Sequence, residues 1–182
     1  MIRFLLWLVG GVLLGGVVHL VTILILPSMA TQDAYSRLAP LAPVNKVVPV
    51  PAPAPDKAAM PFMDPAFAMA VCRYDLTAAP LKFSVPISQA YTSVSFYTRS
   101  DIAYYAINDR SAGRRAIELD LMTAAQHGDV PDNEEITAAD RLIVESPGPT
   151  GLIVIKALAA EPGLLASAQS TLAAAKCQPQ PQ

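Results

Sequence analysis

From Phe4 to Leu26 the chain reads FLLWLVGGVLLGGVVHLVTILIL, twenty-three residues without a lysine, an arginine or a carboxylate. At about 1.5 Å per residue such a helix is roughly 35 Å long, enough to cross a hydrocarbon core of about 30 Å with some tilt. It is a transmembrane helix candidate. A cleaved signal peptide competes with this reading, since Arg3 stands in front and the small residues Ser28 and Ala30 stand behind. The apolar run is longer than the ~7–15 residues usual for a signal core, which favours an uncleaved signal anchor over residues 1–30. Arg3 and the amino terminus mark one flank, while Asp33 and Arg37 nearly cancel on the other. The positive-inside rule then puts the N-terminus in the cytoplasm and everything after Leu26 outside it.

Within the apolar run, Gly11, Gly15 and His19 recur every four residues and stack along one helix face, with Thr22 close to that line. Two glycines spaced in this way let a second helix approach closely, and an imidazole in hydrocarbon seeks a polar partner. That face is the candidate helix-packing site. The bilayer itself is the expected partner of residues 4–26.

A second constraint follows. Between Pro40 and Pro61 seven prolines alternate with Ala, Val and Leu, which removes backbone donors and favours extended geometry. Residues 31–61 are therefore expected to be a proline-rich linker. Residues 62–177 remain for a folded domain, long enough for its own hydrophobic core, and 178–182 read as a disordered Gln-Pro tail. Over 62–177 there are nine Lys and Arg against thirteen Asp and Glu, so the domain is mildly acidic and nucleic acid is excluded as a partner.

Short strand-like runs follow one another: FAMAVCRYDL, LKFSVP, YTSVSFYTRS, IAYYAIN, RAIELDLM, RLIVES and GLIVIKAL. The last two flank PGPT, turn chemistry suited to a hairpin. Helical spacing returns in PGLLASAQSTLAAAKC, where Pro162 suits a first turn. The expected fold is mainly β, an antiparallel sandwich or jelly-roll-like domain with a C-terminal helix, preceded by the single apolar helix. If Ser100 and Asp101 form the central turn, Val94 and Phe96 share a face with Tyr105 and Ile107. The opposite face then carries Ser93, Ser95, Tyr97 and Arg99 with Ile102, Tyr104, Ala106 and Asn108. Tyr97, Arg99, Tyr104 and Asn108 on that mixed face are the candidate surface groove.

The passage from MDPAF through LKFSVP to YTSVSFYTRSDIAYYAINDRSAG, with GLIVIKAL later, resembles the first of two adjoining domains in a bacterial envelope family of unknown function. The likeness rests on Asp64, Pro65, Val85, Pro86, Tyr97 and Gly113. It implies a β domain at the outer side of a bacterial inner membrane, in the periplasm. It also implies a stand-alone version of a larger protein, with a separately encoded partner that supplies the second domain.

Cys72 and Cys177 fall at the edges of the folded part, and outside the cytoplasm an even pair of this kind forms a disulfide. Catalytic signatures are missing: there is no Gly-x-Ser-x-Gly elbow, phosphate loop, His-Glu-x-x-His or dinucleotide fingerprint. His127, with Asp129 nearby, is the one histidine outside the apolar run and reads as an exposed loop residue. Asp132, Glu134 and Glu135 lack the spacing of a calcium loop and suit a helix N-terminus, and Arg114 with Arg115 reads as a solvated turn. No cofactor or metal is expected. The reading is a membrane-anchored, non-enzymatic binding or accessory module; the alternatives are a complex subunit assembled through its membrane helix and an enzyme of unrecognised type.

Overall fold

The computed structural model describes residues 1–29, 33–54, 58–112, 115–128 and 142–180, and the chain divides into two compact units, Met1–Asp33 and Ala34–Gln182. In the first unit, α1 (Ile2–Met29) is apolar on every side. Its large side chains stand exposed, Trp7 at 83% and Leu24 at 77%. By length and composition it is a helix of the membrane-crossing kind. Thr22 satisfies its hydroxyl within the helix by donating to the Val18 carbonyl oxygen at 2.8 Å.

The second unit begins with α2 (Ala34–Leu38) and continues through β1 (Val47–Val50), β2 (Phe67–Asp75), β3 (Leu81–Pro86), β4 (Thr92–Thr98) and β5 (Ala103–Asn108). After α3 (Asp109–Ala112) come β6 (Ala116–Thr123), α4 (Ala124–Gly128), β7 (Leu142–Ser146), β8 (Thr150–Leu158), α5 (Leu165–Ala173) and β9 (Lys176–Pro179). Sheet A has the order β1-β2-β8-β4-β5 and sheet B the order β7-β6-β3-β9. Pairing is antiparallel except between β6 and β7, which run parallel. The mainly β fold with a C-terminal helix, expected from the strand runs, is the one observed.

The two sheets face each other across a core to which β2 contributes Ala70, Cys72 and Tyr74, β3 Phe83 and Val85, β4 Val94 and Phe96, and β8 Ile153 and Ile155. Phe83 of sheet B meets Phe96 of sheet A edge-on, with ring centroids 6.2 Å apart. Each such side chain, fully removed from water, contributes about 1.5–3 kcal/mol of transfer free energy. Cys72 and Cys177 are bonded, with Cα atoms 6.6 Å apart, and join β2 of one sheet to β9 of the other. The disulfide therefore staples the sandwich at its edge.

Four expectations are corrected by this architecture. Part of the stretch read as a linker is built into the fold: β1 pairs with β2 from Val47↔Cys72 to Val50↔Met69, and Leu38 and Ala42 are buried. Proline is tolerated in β1 because the strand lies at a sheet edge and Pro49 need not donate to a further neighbour. The final helix stops at Ala173, short of Cys177, which sits in β9; Gln178 and Pro179, expected in a disordered tail, pair with Lys82 and Leu81. Pro147–Pro149 makes no hairpin, because β7 belongs to sheet B and β8 to sheet A, so this turn is a corner between sheets.

The β4–β5 hairpin is the fourth. Thr98 N–H donates to the Ile102 carbonyl at 2.9 Å, so the loop holds three residues, with Asp101 left-handed at φ 61°. A bulge beside Phe96 and Tyr97 absorbs the extra step and restores Phe96↔Tyr105 and Val94↔Ile107. Tyr104 is the residue the bulge turns. Its ring packs against the core, 6.2 Å from Phe96, rather than on the outer face.

Inside the core its hydroxyl meets that of Tyr74 at 3.0 Å, and Tyr74 also meets the Ser146 hydroxyl at 2.9 Å. Burial pushes both phenols above the usual tyrosine range, and the shared hydrogen bond pushes Tyr104 further in that direction. A folded-state value above the unfolded one means that unfolded chains lose these protons first as pH rises. The stability is thus complete below about pH 10 and falls above it. Unfolding midpoints measured between pH 8 and 11 should drop at the alkaline end, and less steeply in the double variant Tyr74→Phe, Tyr104→Phe.

Candidate functional site

The outer face of sheet A carries a second apolar cluster, separate from the core. β2 and β8 are apolar on both faces, so Val71 and Leu152 are buried on the outer side while their neighbours fill the core. The register sets these side chains in cross-strand rows. One runs Val48, Val71, Val154, Ser95; the next runs Val50, Met69, Lys156, Ser93. The face therefore changes from apolar at β1 and β2 to hydroxylated at β4.

Two segments cover part of it. Residues 34–42 lay Tyr35, Leu38 and Ala42 onto the sheet, and Tyr35 lies between two guanidinium groups, Arg73 at 4.2 Å and Arg99 at 4.3 Å from its ring centre. Arg73 also donates to the Ala42 carbonyl at 3.2 Å, and Arg99 to the Ser36 hydroxyl at 3.1 Å. Cations over an aromatic face add about 0.5–2 kcal/mol each to the area buried. Asn45 accepts from Asp75 N–H at 2.9 Å and donates to the Asp75 carbonyl at 3.0 Å, which holds its own left-handed backbone (φ 57°) in place.

Residues 59–63 make the second cover, with Met60 and Met63 against the same cluster. Between the covers lies a cavity of about 370 Å³, floored by Met69, Val71, Leu152 and Val154 and walled by Leu38 and Met60. Phe62, left-handed at φ 57° and fully exposed, lines it as well. Three charged residues reach the cavity. Asp64 accepts from Ala66 N–H at 2.9 Å, Asp101 accepts from Ala34 N–H at 3.0 Å, and Lys156 is exposed with no ion pair among the described residues. A pocket of this size, mostly apolar with a few polar groups, has the make-up of a small-molecule site. Flexible methionines let such a surface adapt to its ligand.

A second apolar cavity of about 410 Å³ shares Met63, Phe67 and Met69 with the first and extends past β1 to Leu165 and Gln169 of α5.

Of the four residues expected to form one groove, Tyr97 alone lines the first cavity. Arg99 is stacked on Tyr35, Tyr104 is turned to the core, and Asn108 accepts from Ser111 N–H at 3.0 Å, which caps α3. The groove as expected is therefore split between two faces and a helix end. The sequence pattern does not reveal the cavity, because it puts Met60 in the linker and Met69 in the first strand. One signal for it stood in GLIVIKAL, whose apolar residues do not alternate, so both faces of that strand need cover.

Gly11, Gly15 and His19 lie along α1, and among the described residues nothing beyond the adjacent helix backbone stands within 4 Å of a Cβ built on either glycine. His127 is the next-to-last residue of α4, and its Nδ1 lies 2.5 Å from Glu145 Oε1 of β7, both side chains about half exposed. The carboxylate beside the imidazole is Glu145; Asp129 lies outside the described residues, as do Gly113, Arg114, Asp132, Glu134 and Glu135. Neither His127 nor Glu145 lines either cavity. Among the described residues no group of three His, Cys, Asp or Glu is placed to hold a metal ion.

Residues 44–179 match the model of a family described as proteins of unknown function, DUF1254. The chain belongs to the DUF1254 family. The matched range starts beside β1 and ends with β9, so the family unit includes both the edge strand and the strand that carries Cys177. No curated protein matches the sequence. Among solved structures, the VPA0106 protein from Vibrio parahaemolyticus is similar with a TM-score of 0.59 at 14% identity, over 80% of this chain and 34% of that one. An uncharacterised protein from Burkholderia cenocepacia aligns at a TM-score of 0.49 and 12% identity, over 80% of this chain and 36% of its own. The likeness to the Vibrio protein shows a shared fold, and this chain spans about a third of that protein.

Proposed function

We propose that this protein is a membrane-anchored binding module without a catalytic centre. Residues 4–26 hold it in the bacterial inner membrane with the N-terminus cytoplasmic, and the β domain works in the periplasm. The observation that carries the reading is the apolar cavity of about 370 Å³ on the outer face of sheet A. Charge bias across the apolar run supports the orientation, and a disulfide suits an oxidising compartment. The cavity should bind a small apolar molecule. In the full chain held in lipid nanodiscs, a neutral naphthylamine dye should brighten and become displaceable, while Met69→Trp, which fills the cavity floor, should cut this saturable signal at least about tenfold. Equal dye binding by both chains would remove the cavity from the account.

The face of Gly11, Gly15 and His19 belongs to the same proposal as a seat for a second membrane helix, since both glycines leave their backbone open to close approach. The separately encoded partner implied by the family resemblance is part of it as well.

A further inference from the structure

We infer that the ligand is a single-chain amphiphile with an anionic head, its acyl chain lying along the apolar floor and its head held at Lys156; this rests on the cavity being the binding surface. Three observations converge on that chemistry. The two cavities share Met63, Phe67 and Met69, which extends the apolar surface, and among the described residues none that lines the second cavity is charged. In the cross-strand row Met69, Lys156, Ser93, Lys156 stands between an apolar position of β2 and a hydroxyl-bearing position of β4. The carboxylates that reach the cavity already accept backbone N–H groups, Asp64 from Ala66 and Asp101 from Ala34, whereas Lys156 makes no ion pair among the described residues. An anionic head placed there gains the ammonium and the Ser93 hydroxyl together, and the chain behind it leaves water.

Photo-crosslinking separates this inference from the reading beneath it. The full chain in lipid nanodiscs is exposed to diazirine-bearing hexadecanoic acid, to its methyl ester and to the matching 1-acylglycerol 3-phosphate, and labelled peptides are mapped. Labelling by the acid should fall on residues 60–69 and 150–158, drop about tenfold in Lys156→Ala and return in Lys156→Arg. The ester should label weakly and ignore both changes. The phosphate arm tells a lysolipid head from a free carboxylate: whichever labels more strongly names the source. Equal labelling by acid and ester, both unaffected by Lys156→Ala, overturns the head assignment and leaves the cavity as a binding surface. Labelling confined to residues 4–26, or unchanged by Met69→Trp, overturns both. Lys156 is exposed, so its replacements leave the fold intact and keep the test readable.

Discussion

Removal of the Cys72–Cys177 bridge, as Cys72→Ala with Cys177→Ala or by reduction, should lower the unfolding free energy by about 4–5 kcal/mol. The two cysteines are 105 residues apart in sequence, and closing a loop of that order removes this much conformational freedom from the unfolded chain in the entropic model. The structural context points the same way. Cys72 is fully buried in sheet A and Cys177 nearly so at the edge of sheet B, where β9 holds on by pairing to β3 alone. Loss of the bond should therefore free β9 first. Denaturant unfolding followed by circular dichroism measures the total, and amide exchange at 176–179 reports the strand. A loss below about 1 kcal/mol with β9 still protected would show that strand pairing suffices.

Gly151→Ala should also be strongly destabilising, by up to about 3 kcal/mol. A Cβ at this position, in the second residue of β8, would stand 2.3 Å from the Tyr74 hydroxyl and 2.3 Å from the Tyr97 carbonyl oxygen. Real side chains do not approach that closely, so β8 must move away from β2 or β4, both of which it pairs with. Overpacking of a close-packed interior costs about 1–3 kcal/mol, and the upper end applies because one obstacle is backbone. The pair Gly151→Ala, Tyr74→Phe tests the hydroxyl by itself, since the Tyr74 ring carbon Cζ, 2.5 Å from that Cβ, stays in place. Taking away the hydroxyl leaves the Tyr97 carbonyl in place, so thermal unfolding should show little rescue. Full rescue would mean that the backbone yields easily there.

The strands were legible because their apolar runs are short, β-branched and divided by turn residues, and the disulfide because the expected extracytoplasmic setting leaves a single pair of cysteines few alternatives. What escaped was set by contacts distant in sequence. Proline density argued for a spacer, yet Pro49 sits at an edge where its missing donor costs nothing, and Val48 and Val50 find an apolar face to cover. The PGPT turn has hairpin chemistry, but β7 finds β6 as a parallel neighbour while β8 inserts between β2 and β4. The Tyr97, Arg99, Tyr104, Asn108 groove assumed unbroken alternation, and one bulge sends Tyr104 to the other face. Tyr35 as the filling between Arg73 and Arg99 has no local signature, since the two arginines lie on different strands or turns from it and from each other.

The most direct measurement is native mass spectrometry of the full chain released from its own membranes. The account predicts a mass with the apolar N-terminal run intact and two hydrogens missing for the disulfide, accompanied by a small apolar adduct that Met69→Trp does not carry. A chain that begins beyond the apolar run, with no adduct in either protein, would contradict it.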